Sequence, residues 1–366
     1  ASSATDKGNY TFADDALSVE KAGLKNASTV VLTTSRQVEG SVYSLSVARV
    51  KDESGNAIAA DTSVEIHGFV FALGYLKFEY FAGITGVHIE DLVDDDKYLN
   101  NEVDEVLYLT AYDTKTAFDS KGDNYGARIS GWLFPDRGGE YAFFIASDDA
   151  GELYLSSDET KENLEIVAQE LSWSTQFEGG GDEEGYPFDP FVAGNRYYTE
   201  LIYKEGSGGD GAMIAWRHVD DEETTSISKL KPISGQHIGT YVDPAGSSIK
   251  ITRQPQSLTA PVNATVSLSV TAEGSSAVGS FVQYQWQKNG ADIAGATGPV
   301  LELSGYTLND SGAVYTVVCS VPGKEIVSAE AKLTVVVDDE APTVVFISSD
   351  GSQITVEYSE IGRAHV

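Results

Sequence analysis

Apolar patterns of strand length recur along nearly the whole sequence of 366 residues, separated by Gly, Asp, Asn or Ser. Such spacing is typical of β-strands joined by turns. Glycine (36 residues) and tyrosine (19) are frequent, whereas methionine occurs once, which favours strands and turns over helix bundles. One short stretch, Ile89–Leu99, has a helical pattern, so we expect an all-β chain. The strand patterns are Val30–Thr34, Val42–Val50, Tyr141–Ala146, Glu152–Ser156, Tyr197–Tyr203 and Ala212–Arg217.

The charge balance excludes several classes of partner. Acidic residues number 56 against 24 basic ones, for a formal net charge of -32. A chain of this charge is repelled by nucleic acid and by anionic membrane surfaces. No apolar run reaches the length of a transmembrane helix, so we also expect no membrane insertion. The charge suits a soluble protein or one that collects cations.

The single cysteine, Cys319, excludes an intrachain disulfide framework and a cysteine-based zinc site. The five histidines are scattered without metal-binding spacing. The sequence has neither an initiator methionine nor a basic-then-apolar leader, so we interpret it as a segment of a longer precursor.

Turn-rich stretches at Pro244–Ser248 and Asp338–Pro342 indicate boundaries between units. The last unit, as we interpret it, is cut short, and the first begins partway through a module. The four predicted units are Ala1–Gly68, Phe69–Tyr241, Ile249–Val337 and Ala341–Glu360.

The third unit carries the residues of a known sandwich. Tyr284–Trp286, the turn Lys288–Gly290 and Asp310–Gly312 followed by Tyr315 make Ile249–Val337 resemble an immunoglobulin-like domain. The resemblance implies a buried Trp286 and a Tyr315 at the tyrosine corner.

Two valines depart from the antibody pattern in this unit. Val270 and Val317 stand where antibody-type domains place the inter-sheet disulfide, so apolar packing must hold this core. Cys319, two residues further on, is expected to be a small buried hydrophobe. Such a domain can be a binding module or a spacer, and both interpretations stay open.

The flanking pieces are similar to each other in type. Asn9–Phe12, Val30–Thr34, Val42–Val50 and the turn Asp52–Asn56 make Ala1–Gly68 resemble the later part of a bacterial Ig-like surface module. Ala341–Glu360 resembles the first part of the same module type. The resemblance implies partial bacterial Ig-like modules at both ends. It also implies a repeating array that acts as a spacer and performs no chemistry.

Phe69–Tyr241 combines aromatic strands with acidic and glycine-rich loops. It resembles the protective-antigen (PA-14) domain, a β-sandwich or barrel found in bacterial toxins, glycosidases and fungal adhesins. The most specific part is a strand, then Ser-Asp-Asp-x-Gly, then a second strand. The stretches that carry the resemblance are Leu76–Phe81, Gly122–Gly126, Arg128–Leu133, Gly139–Asp149, Gly151–Ser156, Tyr197–Glu205 and Gly208–Trp216.

The acidic loop Ser147–Gly151 separates two strand patterns, so we expect it at the tip of a hairpin. Asp148 and Asp149 are adjacent like charges, which cost free energy unless a cation or amide donors lie nearby. Calcium prefers several oxygen ligands, which a short acidic loop supplies. The structural alternative is that the two aspartates only cap the turn.

The resemblance implies a ligand set. In the fungal adhesins of this family, two successive aspartates joined by a cis peptide bind calcium, which chelates sugar hydroxyls. Asp148 and Asp149 match that pair, and the second loop of the site corresponds to Glu205–Asp210. Those adhesins carry an asparagine near the position of Glu205, so Glu205 or Asp210 is expected to supply a further carboxylate. The expected cofactor is calcium.

Aromatic side chains near the acidic loops offer stacking faces for a sugar ring. The candidates for ligand binding are Asp148 and Asp149 with Trp173 and Tyr186, and Phe188 lies beside them. Trp132 and Trp216 lie within strand patterns and are assigned to the core.

These observations favour a non-catalytic, carbohydrate-binding adhesion segment of an extracellular or cell-surface bacterial protein, with glycans or polysaccharide as partners and no enzymatic activity. Two alternatives stay open. One is a structural stalk that binds nothing, and the other is an accessory region of a larger polysaccharide-degrading enzyme.

Overall fold

The structure is a computed structural model that describes residues 3–25, 27–59, 62–187, 189–221, 226–337 and 344–358. Strands arranged in several sheets dominate it, which confirms the predicted all-β class. The chain divides into two compact units. The first comprises Ala1–Ser248 with Gly274–Phe281 and Val321–Lys324, and the second comprises the remaining segments from Ile249 onwards.

The N-terminal segment of the first unit forms a small sheet and a hairpin. Its core consists of Phe12, Leu17 and Tyr43. Strands β1, β4 and β5 pair antiparallel in the order β1-β4-β5, and β2 pairs with β3. The strands are β1 (Tyr10–Phe12), β2 (Val19–Leu24), β3 (Val30–Thr34), β4 (Val42–Val47) and β5 (Thr62–His67).

The predicted turn at Asp52–Asn56 is held by side-chain bonds. The Asn56 backbone N–H donates to Asp52 Oδ1 at 2.8 Å, and the Asn56 side-chain amide donates to Asp52 Oδ2 at 2.8 Å. These bonds satisfy backbone and side-chain groups within the turn itself.

In the described residues between 69 and 242, the first unit contains eleven strands and two short helices. The predicted helical stretch Ile89–Leu99 is divided in two because the Asp95 side chain accepts the N–H of Lys97 and starts a new helix. The elements are β6 (Val70–Leu73), β7 (Leu76–Ala82), α1 (Ile89–Val93), α2 (Asp96–Leu99), β8 (Glu105–Leu109), β9 (Tyr125–Leu133), β10 (Tyr141–Asp148), β11 (Gly151–Ser156), β12 (Leu164–Glu170), β13 (Glu184–Gly185), β14 (Tyr197–Glu205), β15 (Gly211–His218) and β16 (Ile238–Val242). Short 3₁₀ turns lie at Thr114–Thr116, Ile227–Lys229 and Gly235–His237.

Two antiparallel sheets form a sandwich. The larger has the order β12-β11-β14-β9-β16-β6, with β7 paired to β9 and β8 paired to β7, and the smaller has the order β13-β10-β15. One apolar cluster joins side chains from both sheets, including Phe78, Ile129 and Leu201 from the larger and Phe143 and Ile214 from the smaller. This shared core fixes the separation of the two sheets.

The smaller sheet is covered on both faces. Phe143 and Ile145 of β10 point into the shared core, while Ala142 and Phe144 pack against Phe177 on the other side. In the larger sheet, side chains of β7 alternate between the two faces: Leu76 and Phe78 enter the core, whereas Lys77 and Glu79 face outward.

The two tryptophans assigned to the core differ. Trp216 packs against the shared core, as expected. Trp132 instead lies half-buried on the outer face of the larger sheet, where it contacts Tyr198 with ring centroids 5.2 Å apart. The assignment of Trp132 to the core was wrong, since the strand pattern Arg128–Leu133 alternates and places its even-numbered residues outward.

The second unit contains the immunoglobulin-like residues. Strands β18, β26, β24, β21 and β22 form a sheet in that order, with β25 paired to β24 and β18 parallel to β26. The strands are β17 (Ser248–Arg253), β18 (Leu258–Pro261), β19 (Val266–Ser269), β20 (Thr271–Ser275), β21 (Gln283–Lys288), β22 (Ala291–Asp292), β23 (Val300–Leu303), β24 (Val314–Val321), β25 (Lys324–Val327), β26 (Ala331–Val336), β27 (Val344–Ser349) and β28 (Ile354–Tyr358).

The core of this unit matches the expectations for its key residues. Trp286 is fully buried, and its indole N–H donates to the Gly298 carbonyl at 2.9 Å. Val270 and Val317 both lie in the apolar core, beside the buried Cys319. The last two strands, β27 and β28, form a hairpin within the predicted unit Ala341–Glu360, whose remaining residues lie outside the described ranges.

No helix within the described ranges combines the length and the apolarity that crossing a bilayer requires.

Burial makes a direct prediction for Cys319. Its side chain is fully buried, and burial raises the pKa of the thiol to about 11, so the reactive thiolate is scarce at neutral pH. We expect an aromatic disulfide reagent to leave the native protein unmodified and to titrate one thiol per chain in guanidinium chloride. Rapid modification of the native chain would contradict this packing.

Candidate functional site

The acidic loop predicted at a hairpin tip occupies a different position. Strand β10 pairs with β13 and β15 in the smaller sheet, whereas β11 pairs with β12 and β14 in the larger one. The segment from Asp148 to Gly151 therefore crosses between sheets, and the hairpin prediction was wrong. The physical reason is that β10 is buried along both faces while β11 alternates, so the two strands suit different layers.

A second crossing lies beside the first. Strand β14 belongs to the larger sheet and β15 to the smaller one, so the loop after Glu205 crosses between the same two layers. Register fixes the adjacency, because Asp148 pairs with Gly211 across β10 and β15, and Gly151 pairs with Tyr203 across β11 and β14. The two acidic loops predicted to cooperate are therefore neighbours at one end of the sandwich.

Three carboxylates converge at this end. One oxygen each from Asp148, Asp149 and Glu205 lies within 4.8 Å of the others. The peptide bond between Asp148 and Asp149 is cis. Asp149 Oδ2 also accepts the backbone N–H of Gly206 at 2.9 Å, which ties one crossing to the other.

Gly206 is required by this close approach. A Cβ at this position would lie 2.5 Å from Val87 Cγ1, 2.9 Å from the Gly86 carbonyl oxygen and 3.1 Å from Asp149 Oδ2. A larger residue would displace Asp149 or the neighbouring loop.

Glu205 carries the most unfavourable charge of the group. It is fully buried, and its Oε1 has no hydrogen-bond partner among the described residues. Burial, followed by the charges of Asp149 and Asp148, raises the pKa of Glu205 to about 7. Burial and the charge of Asp149 likewise raise the pKa of Asp148. The arrangement is one that a bound cation would stabilise, since its charge offsets the repulsion and its coordination uses the unpaired oxygen.

A buried lysine supports the second crossing. Lys204 is fully buried, and its Nζ donates to the carbonyl oxygens of Gly86 at 2.7 Å and of Glu205 at 2.6 Å. Burial lowers the pKa of Lys204, against the nearby charges of Asp91, Glu205 and Asp149. Sequence reasoning missed this residue, because a lysine beside a glutamate at a strand end normally indicates a solvated surface.

Asp210, the other predicted carboxylate ligand, lies outside this group. Its Oδ2 accepts the Tyr125 hydroxyl at 3.0 Å and the Lys121 backbone N–H at 2.7 Å, and its Oδ1 lies 3.3 Å from Lys115 Nζ. These contacts hold the loop before β9 against the second crossing.

Of the two aromatic residues predicted to contact the ligand, one lies near the carboxylates and the other does not. Trp173 forms an isolated backbone bridge with Asp148, which makes it a neighbour of that residue, and its side chain is 62% exposed. Tyr186 is not brought to the site. It follows β13, where Glu184 pairs with Phe144, about 13 Å along β10 from Asp148. Phe188 lies outside the described residues.

A cavity of about 330 Å³ opens beside Asp148. Its walls include Lys115, Ser174, Thr175 and Met213. The cavity gives a ligand held at the carboxylates room to extend along the end of the smaller sheet.

Comparison with known proteins gives matches to parts of the chain. No family model matches it. A stretch of 144 residues is 32% identical to N-acetyl-beta-glucosaminyl-glycoprotein 4-beta-N-acetylgalactosaminyltransferase 1 of Mus musculus. The match covers 38% of this chain and 13% of the relative, so the chain spans only a small part of that protein's length. The prediction that the chain has no enzymatic activity is corrected by this match, because the similar stretch belongs to a named glycosyltransferase.

Solved structures also match parts of the chain. The epithelial adhesin 9 A domain of Candida glabrata, in complex with Galb1-4GlcNAc, is 14% identical with a TM-score of 0.34, over 48% of this chain and 92% of that one. The PA14 domain of the MpAFP antifreeze protein is 14% identical with a TM-score of 0.29, over 50% and 96%. Tandem Ig repeats of Dlar match at 13% identity and a TM-score of 0.22, over 55% and 92%.

The buried charge of Glu205 predicts an unusual effect of mutation. We expect Glu205→Gln to raise the free energy of unfolding by about 1–2 kcal/mol in the presence of EDTA at pH 8, because it removes a buried like charge at nearly constant volume. Chemical denaturation of the full chain measures this. The matched control is Asp210→Asn, which weakens paired hydrogen bonds and should destabilise; destabilisation by both variants would contradict the predicted repulsion.

Proposed function

We propose that the central sandwich binds glycans at a calcium ion held by Asp148, Asp149 and Glu205. The observation that carries this proposal is that Glu205, one of three converging carboxylates, is buried with its Oε1 lacking a hydrogen-bond partner among the described residues. The donor set consists only of oxygen, which fits calcium and does not fit the softer transition metals. When bound, calcium supplies a charge and open coordination positions for two hydroxyls of a sugar ring.

The chain's own residues perform the remaining work. Asp148 and Asp149 lie at the end of β10 and face the second crossing, and the Gly206 N–H keeps the Asp149 carboxylate in place. The exposed Trp173 lies next to Asp148 and offers an apolar face against which a sugar ring packs. The adjoining cavity, with polar groups from Lys115, Ser174 and Thr175, would take a second sugar unit.

The cellular setting proposed for this activity is the cell surface or the extracellular space. Calcium sites of extracellular modules typically bind in the range of about 10⁻⁴–10⁻³ M, which matches free calcium outside cells. The glycoprotein-directed name of the Mus musculus relative favours a second candidate role, in which such a sandwich serves as the glycan-recognising part of a larger glycan-modifying enzyme.

Calcium should stabilise the native protein. At about 10 mM calcium we expect the melting temperature of the transition that contains Asp148 and Asp149 to rise by roughly 5 °C, because an ion that binds only the folded state shifts the unfolding equilibrium. Differential scanning calorimetry of the full chain measures this. Asp149→Asn should melt without a calcium-dependent shift, and the absence of any shift in the unmodified chain would rule out the site.

Glycan binding should depend on the same residues. We expect signals on a glycan array in calcium that disappear in EDTA and in Asp149→Asn. The control is Asp182→Asn, which changes an exposed aspartate in the loop between β12 and β13 and should retain the signal. Signals that persist in EDTA and in Asp149→Asn would place glycan binding elsewhere on the molecule.

A further inference from the structure

A groove of about 520 Å³ crosses the outer face of the larger sheet, away from the three carboxylates. Its floor is one row of side chains, because register places Lys77 opposite Ser130 and Ser130 opposite Glu200 on β7, β9 and β14. Tyr98 and Asn101, at and just after α2, form one wall. We propose that this groove is a second, calcium-independent binding site for a neutral saccharide chain.

The backbone of the floor is unavailable to a ligand. Strands β7, β9 and β14 each pair on both sides within the sheet, so their N–H and C=O groups are already used. A peptide therefore cannot add to this face as an extra strand, and recognition must come from side chains.

The charges of the groove are largely paired with each other. Glu79 is almost fully buried beneath it, with Lys77 Nζ 2.6 Å from Oε1 and Arg128 Nε 2.7 Å from Oε2. Burial raises the pKa of Glu79, but the bonds from Arg128 and Lys77 outweigh it and hold that pKa below its usual value. Because Lys77 and Arg128 are already paired with a buried carboxylate, the floor of the groove offers little attraction to a polyanion.

Hydrogen bonds between its own side chains hold donors and acceptors of the groove in place. Arg128 Nη2 donates to Asn101 Oδ1 at 2.6 Å, and the Tyr198 hydroxyl donates to Glu200 Oε1 at 2.6 Å. Lys161, from the loop between β11 and β12, lies at the rim and forms no ion pair with any residue in the described ranges. Sugar hydroxyls both donate and accept hydrogen bonds, so this mixture suits them better than a ligand of one charge.

Aromatic rings also line the groove and offer apolar faces to a sugar. Tyr98 and Tyr198 line the groove, and Tyr198 continues onto Trp132, so apolar faces lie next to the polar row. Sugar rings present apolar C–H faces beside their hydroxyls, and this combination of stacking surface and hydrogen-bonding groups is the one they need. The proposed saccharide site does not depend on the proposed calcium site, since none of the residues that line the groove belongs to the carboxylate group.

Affinity electrophoresis tests the proposal. The full chain runs in native gels that contain EDTA and one of four soluble polysaccharides: galactan, xylan, galactomannan or mixed-linkage β-glucan. We expect retardation by at least one of them, with an apparent affinity that falls at least 5-fold in Lys161→Ala and in Glu200→Gln. Both changes lie on the surface of the groove and leave the core intact.

Two controls separate this site from the proposed calcium site. Lys229→Ala removes an exposed lysine that does not line the groove and should leave retardation unchanged, and Asp149→Asn should do the same while it loses the calcium-dependent melting shift. If none of the four polysaccharides retards the unmodified chain, or if Lys161→Ala and Glu200→Gln bind as well as the unmodified chain, the proposal is overturned.

Discussion

The candidate site depends on one constraint of the fold: two neighbouring loops cross between the same pair of sheets at the same end of the sandwich. Strands β10 and β15 pair in one layer and β11 and β14 in the other, so the loops that join them must lie side by side. This pairing brings Asp148 and Asp149 to Glu205 across more than fifty residues of sequence. The ladders on both sides hold the loops in place, so the carboxylates are prearranged before a ligand arrives.

The electrostatic arrangement explains why this end of the molecule is suited to a cation. Three acidic groups at close range repel one another, and burial of Glu205 removes the water that would screen them. The only ammonium group buried beside them, that of Lys204, is used by the carbonyls of Gly86 and Glu205 among the described contacts, so it positions the loop rather than pairing with a carboxylate. A cation bound to these carboxylates would offset their repulsion and would therefore stabilise the folded state.

Strand β14 links the two proposed binding regions. Its last residue, Glu205, belongs to the carboxylate group, while Glu200 and Tyr198 face the groove on the outer surface of the sheet. The intervening Ile202 is covered by α1, which separates the two regions. One strand thus carries a polar surface in its middle and a member of the carboxylate group at its end, which a sandwich permits because its inner face alone must be apolar.

Sequence by itself determined the all-β class and the turn at Asp52–Asn56, because they follow from local periodicity and turn chemistry. The buried Trp286 and the two acidic loops as partners were implied by family resemblance, and the buried Cys319 by its place in the strand pattern. The sequence did not determine that the loop at Asp148 joins two sheets, that Tyr186 lies far from it, or that Trp132 faces outward in the strand it occupies. The burial of Lys204 and the pairing of Asp210 with Tyr125 were equally hidden. Those facts follow from which strands pair and which face each strand covers. Such contacts join residues far apart in the chain, and local sequence patterns do not show which distant residues come together.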